Sequence, residues 1–302
     1  MRFDRDVRRK LFSHAMAIAC LACVAIAILP LGDILYTSAV NGLKVLSFQF
    51  FTQNSPIPCD PRFQTGCSFG GIYNSIQGTL LLIVIAAGIA LPVGILCGIY
   101  LSEFGANPLG NAARFFADVL AGVPSIVMGV VVFSLFLLLF QDGYITSDYV
   151  LSVLSASIAL AFIMLPIVAR TAEEALRLVP TTTREAALAL GIPRYRVVLR
   201  IVLRSARSAV ITGGLLAVAR AAGETAPLII LNPGNLFPFA PALGLHQTTA
   251  SLPISIYRWI VSPYPNWQAD AWGATFVLVI LMLGISVAAR LALRERFGAA
   301  LR

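Results

Sequence analysis

Charge, lysine and histidine are all scarce in this sequence. Of its 302 residues only 12% are Asp, Glu, Lys or Arg; Lys10 and Lys44 are the two lysines, and His14 and His246 the two histidines. Each scarcity excludes a class of activity. A nucleotide-binding P-loop needs Gly-Lys-Ser/Thr, so that backbone amides and an ammonium hold the phosphates, and neither lysine here follows a glycine. Two histidines far apart do not suggest a metal cluster. The chain reads as no enzyme, with no metal and no cofactor bound by its own residues. Any uphill work it does must take its energy from a partner.

What is present is apolar surface. Hydrophobic residues make up 58% of the chain and the mean hydropathy is +0.85, the composition of an all-α polytopic membrane protein. Six apolar runs are long enough to cross the bilayer as helices: 15–35, 73–101, 115–140, 150–169, 209–231 and 271–293. The first is too long for a cleaved signal peptide and lacks a small-residue exit. Arg2, Arg5, Arg8, Arg9 and Lys10, then Arg114, then the run from Arg170 to Arg207, then Arg290, Arg294, Arg296 and Arg302 fall on one side of these spans; Lys44, Arg62 and Arg258 fall on the other. That asymmetry places both termini and the loop 180–207 in the cytoplasm of a plasma (inner) membrane protein. The net charge of +8 is thus mostly topology. It is spread over separate juxtamembrane clusters, which argues against nucleic acid as a partner.

Of five cysteines, Cys20, Cys23 and Cys97 lie in apolar spans and are expected to be small buried hydrophobes. Cys59 and Cys67 lie in an outer loop with Pro56, Pro58, Pro61 and Gly66. In an oxidising compartment they are a candidate disulfide; two free thiols is the other reading.

The longest polar helix-forming stretch is the loop 180–207. Thr182 and Glu185 have capping-box spacing, Ala186, Ala187, Leu188, Ala189 and Leu190 favour helix, and Gly191-Ile192-Pro193 stops it. A second helix should follow, with Val197, Val198, Ile201 and Val202 on one face and Arg196, Arg200, Arg204 and Arg207 on another. Two uses fit this shape: an interfacial helix on anionic membrane lipid, or a two-helix elbow that enters a groove on a partner protein.

Polar residues also interrupt two spans. Arg220 and Glu224 are four apart, hence on one helix face. At about 1.5 Å per residue from Ser208, Arg220 lies ~18 Å into the membrane. Intramembrane ionisable groups are functional candidates, and an arginine fork suits phosphate-like oxyanions; an ion pair that locks helices and a gate that breaks and reforms between states are the competing accounts. Thr225 and Pro227 follow directly. In span three, Gly122-Val123-Pro124-Ser125 marks either a broken helix at a transport path or a packing kink. Asp118 reads as a solvated carboxylate at a helix start, with a gate residue as the other reading. The outer segment 232–270 carries Phe237, Phe239, Tyr257, Trp259, Tyr264 and Trp267, a docking surface or an interfacial aromatic belt.

These residues carry a resemblance. Glu185-Ala186-Ala187-x3-Gly191-x9-Ile201-x-Leu203 resembles the EAA loop of ABC importer permeases, although Arg204 stands where that pattern often has proline, so the second helix should run on smoothly into span five. Leu120-Ala-Gly-Val-Pro-Ser-Ile126, Arg220-Ala-Ala-Gly-Glu-Thr-Ala-Pro227 and Gly98-Ile-Tyr-Leu-Ser-Glu103 resemble the phosphate-specific permeases of the PstA/PstC pair, and the form of the second stretch favours the PstA type. The resemblance implies a type I ABC importer permease fold: an N-terminal tail (1–14), a first span with outer loop (15–71), a five-helix core (72–293) and a C-terminal tail (294–302). It implies ATPase coupling through Arg184, Glu185, Ala186, Ala187, Leu190 and Gly191, and a translocation path past Pro124, Ser125, Arg220, Glu224 and Thr225. It implies as partners a homologous PstC-type permease, two PstB-type ATP-binding subunits holding ATP and Mg, and an extracytoplasmic PstS-type phosphate-binding protein. Two rivals remain at this point: a permease for another oxyanion or phosphonate, and a membrane scaffold or sensor of phosphate status.

Overall fold

A computed structural model describes residues 2–56, 70–235, 239–240 and 244–298, with side chains between 9 and 287 of these. Cys59, Cys67, Arg62 and Phe237 lie outside the described residues, and the candidate disulfide with them. Every regular element among the described residues is helical: α1 (Arg2–Gly42), α2 (Phe48–Thr52), α3 (Tyr73–Phe104), α4 (Pro108–Gly122), α5 (Ser125–Gln141), a 3-10 turn (Ser147–Tyr149), α6 (Val153–Arg177), α7 (Thr181–Ala189), α8 (Arg194–Arg196), a π-helical turn (Val197–Val202), α9 (Leu203–Ala222), α10 (Ala226–Leu231), α11 (Leu252–Ile260) and α12 (Pro265–Gly298).

Five helical stretches are long and apolar enough to cross a membrane, and a sixth crossing is the pair α4 and α5, bent by 108°. The run 115–140 is therefore not one gently kinked span. Proline cannot continue the helical ladder, and Pro124 stands in extended backbone as the N-cap of α5. What precedes it is an amphipathic helix opened by Asn107, whose side chain accepts from Gly110 N, with Pro108 at its first position. Leu109, Phe115, Phe116 and Val119 face outward from α4, while Arg114 and Asp118 reach α6.

The centre of the bundle is α6. Its alanines and serines are almost fully buried, and Leu82, Ala86, Ala90, Val132, Ala217, Ala221 and Leu228 of the neighbouring helices close around it. In lipid there is little hydrophobic drive between helices, so close backbone approach through small residues does the packing. A Cβ added to Gly98 of α3 would lie 2.6 Å from the Ala172 Cβ and 2.8 Å from the Ala169 carbonyl oxygen. Gly98→Val is expected to destabilise the fold by about 1–3 kcal/mol through overpacking. The thermal midpoint in detergent, compared with Gly88→Val, where a Cβ meets nothing within 4 Å, measures it.

By contrast α1 is peripheral. It touches α12 near Gly42, where an added Cβ would lie 2.7 Å from the Phe276 Cβ, and the rest of its apolar surface is open. Cys20 and Cys23 are consequently exposed on this chain rather than buried, and Cys97 is half-buried. The outer segment folds back over the bundle. Ser75 and Ser255 hydroxyls lie 2.7 Å apart, Leu252 N donates to Thr79 Oγ1 at 2.8 Å, and Gln77 bonds both backbone groups of Phe239. Trp259 is 3% exposed in a cluster with Phe50, Ile72 and Leu252, so it serves the core and not an interfacial belt.

Candidate functional site

The loop 180–207 folds as the two-helix elbow that its residues suggest, with one local correction. The first helix begins at Thr181 directly after Pro180, whose φ of −57° suits a helix entrance, and no side chain caps it. The Thr182–Glu185 capping box does not form, because Pro180 takes the cap position and Thr182 already lies inside the helix. Gly191 ends the segment at φ +74°, the left-handed region where any Cβ is strained. Beyond Pro193 the second arm runs without interruption from Arg194 to Ala222, through the π-helical turn. Val197, Val198 and Val202 face the bundle at 2%, 5% and 0% exposure.

The residues of the elbow divide by direction. Glu185, Ala186 and Gly191 are exposed, as is Leu190 at 80%. Ala187 turns inward, packed with Val179, Val197 and Val202. Arg184 also turns inward. Its Nη1 and Nη2 donate to the Val179 and Leu176 carbonyls, each at 2.7 Å, and Nε reaches Glu103 Oε1 at 3.1 Å. It caps the C-terminus of α6, where cationic donors complement orphan carbonyls, and so anchors the elbow from within.

An ion network lies beside it that the sequence did not disclose. Glu173, with a side chain 3% exposed, meets Arg114 at 2.7 Å, Arg177 at 2.7 Å and Arg170 at 3.3 Å. Arg170 also binds Asp118, whose side chain stays 60% exposed; this carboxylate lies near the end of α4 and not at a helix start. Arg114 further donates to the Gly105 and Leu101 carbonyls at 2.7 and 2.8 Å. The network ties α4 to the end of α6 and to the α3–α4 corner. The i−3 and i+4 arginines around Glu173 were its sequence signal.

Span five breaks between α9 and α10 at Gly223-Glu224-Thr225. Arg220 Nε lies 3.5 Å from Glu224 Oε1, with side chains 56% and 16% exposed. The break in span three is close by. A Cβ on Gly129, one turn into α5 from Pro124 and Ser125, would lie 2.7 Å from the Pro227 Cα of α10. The start of α10, just past the ion-paired break, is thus packed against the first turns of α5, just past the proline break.

A membrane bundle with an exposed elbow at one end and helix breaks inside it has the form of a transporter permease. Residues 90–294 match the family described as binding-protein-dependent transport system inner membrane component. Solved structures agree on the fold. A bacterial ABC transporter involved in the import of the acidic polysaccharide alginate matches with a TM-score of 0.64 at 16% identity, over 98% of this chain and 99% of that one. The inward-facing MetNI methionine ABC transporter matches with a TM-score of 0.56 at 17% identity, over 74% and 96%. Sequence is more particular. Over 284 residues, 94% of this chain and 92% of the relative, 37% are identical to the phosphate transport system permease protein PstA of Xylella fastidiosa. Over 295 residues, 96% and 98%, 33% are identical to that of Haemophilus influenzae. The chain belongs to the PstA family of binding-protein-dependent permeases.

Proposed function

We propose that this chain is the transmembrane permease subunit of an ATP-driven importer that moves inorganic phosphate into the cell. The observation that carries the reading is end-to-end likeness to phosphate permeases, on a fold shared with importer permeases. A permease for another oxyanion or phosphonate, or a phosphate-status scaffold, finds no such support. The subunit works with ATPase and substrate-binding partners. The finer assignment is a PstC-type permease beside it, two PstB-type subunits holding ATP and Mg below, and a PstS-type phosphate-binding protein above, with both termini cytoplasmic. Residues 72–293 are the transport core.

On this reading Glu185, Ala186, Leu190 and Gly191 form the surface on which an ATPase subunit seats, with Ala187 and Arg184 holding that surface to the bundle. ATP binding draws the two elbows of the permease pair together and opens the path outward; hydrolysis resets it. Pro124, Ser125, Arg220, Glu224 and Thr225 line the path, and binding there is weak because selectivity resides in the binding protein. Reconstituted full complex should take up radiolabelled phosphate only with ATP, and sulfate or phosphonate should compete poorly. No ATP-dependent uptake would sink the transporter reading, and strong competition would shift the substrate. Glu185→Arg reverses an exposed charge that has no packing role. It should release or uncouple the ATPase subunits while the spans keep their thermal midpoint; full co-purification with normal transport would refute the docking surface.

A further inference from the structure

The two arms of the elbow converge on a place outside the elbow. Arg184 of the first arm pairs with Glu103 Oε1 at 3.1 Å. Arg194 of the second arm donates through Nη2 to the Glu103 carbonyl oxygen at 2.9 Å, and its guanidinium lies 4.5 Å from the centre of the Phe104 ring. The Glu103 side chain is 6% exposed, so this is not a loose surface pair. Beneath it, Ile95 and Ile99 of α3 pack into the same apolar cluster as Ala187, Val197 and Val202.

From that grip α3 runs 32 residues, about 48 Å at 1.5 Å per residue. Gly94 and Gly98 seat it on α6 with no room for a Cβ, so this stretch of α3 moves with α6 packed against it. Its far end holds the outer segment through Ser75, Gln77 and Thr79. One continuous helix, with Pro92 inside it, therefore joins the cytoplasmic elbow to the extracytoplasmic cap. The second arm, by contrast, leads into α9, which breaks at Gly223 before it reaches the outside.

We propose that Glu103 is a positioning residue through which both arms of the elbow grip α3, so that α3 carries movement between the ATPase-facing elbow and the outer segment. This rests on the phosphate-importer reading above. It requires that loosening the grip separates ATP hydrolysis from phosphate movement without dismantling the complex.

The test uses the complete reconstituted complex with phosphate-loaded binding protein, and reads phosphate imported per ATP hydrolysed. Glu103→Gln removes the charge facing Arg184, and Arg194→Gln removes the second arm's contacts. Each should lower the ratio at least about fivefold, the lower end of coupling between distant sites, with subunit stoichiometry retained. Glu103→Asp, which keeps the carboxylate, should recover much of the ratio. A ratio within about twofold of wild type in both Gln variants would overturn the inference. So would loss of assembly in Glu103→Gln alongside a normal ratio in Arg194→Gln, which would leave Glu103 a folding role only. If the wild-type complex shows no ATP-dependent uptake, the importer reading fails instead; with wild-type uptake intact, only the grip on α3 is at stake.

Discussion

Glu173→Ala is expected to destabilise the chain by about 3–5 kcal/mol, the usual cost of removing one partner from a buried ion pair. The carboxylate is 3% exposed and faces three guanidinium groups. Those groups differ in what they can do once it is gone. Arg177 is 55% exposed and returns to water. Arg170 keeps Asp118. Arg114 is 20% exposed and remains tethered to the Gly105 and Leu101 carbonyls, so it stays in place without a counter-charge. The penalty concentrates there, and its partial exposure sets the lower end of the range. The consequence should be local first: α4 loses its tie to α6, and the corner between α3 and α4 loosens before the bundle around α6 does. Glu173→Gln keeps an acceptor for Arg114 and should lose less. Thermal midpoints in detergent, with protease sensitivity at 105–114 as the local probe, measure both effects. A shift of under about 2 °C for Glu173→Ala, less than ~1 kcal/mol, would mean the network contributes little.

That network also marks where sequence reasoning stops. The spans were legible because crossing a bilayer demands long apolar runs, and no other use of such runs competes. The left-handed corner at Gly191 was legible because glycine followed by Ile192-Pro193 leaves the backbone few choices. The continuous second arm followed from Arg204 standing where a proline would break it. Arg114 and Glu173, however, are 59 residues apart, and Arg184 and Glu103 are 81 apart. Nothing local states that such charges meet, and an arginine at a cytoplasmic boundary looks the same whether it serves topology or an ion pair. The capping box failed for a different reason: Thr182 and Glu185 have the right spacing, but Pro180 had already started the helix. Pro124 signalled a break, yet its 108° size depends on α4 lying against α6, which is a tertiary matter. Of the residues proposed for the path, sequence picked Arg220 and Glu224 from the cost of charge in lipid. It did not show that α5 and α10 pack together just beyond the two breaks, because that rests on Gly129 and Pro227 meeting across two helices.

Arg220→Gln is expected to abolish most transport while leaving the complex assembled. If Arg220 served to lock helices, its guanidinium would be enclosed and saturated. Instead its side chain is 56% exposed on this chain, its only side-chain partner among the described residues is Glu224, and that contact, at 3.5 Å, is at the limit of a hydrogen bond. The two residues are four apart on one stretch of chain, so the pair joins no second helix. A guanidinium that presents several donors with one weakly engaged, at the break in span five, is placed to meet a mobile anion. Glu224 beside it limits how tightly that anion is held, which suits passage rather than storage. Losing charge-assisted hydrogen bonds of ~1.5–3 kcal/mol at one point of the path corresponds to about 10- to 150-fold slower uptake. Arg220→Lys keeps the charge without the planar fork and should fall between Gln and wild type. Initial uptake rates in proteoliposomes, read with subunit stoichiometry on the same samples, distinguish the cases. Uptake near wild type in Arg220→Gln would remove Arg220 from the path. Lost assembly with residual complexes transporting at the normal rate would return it to a packing role, despite the open geometry around it.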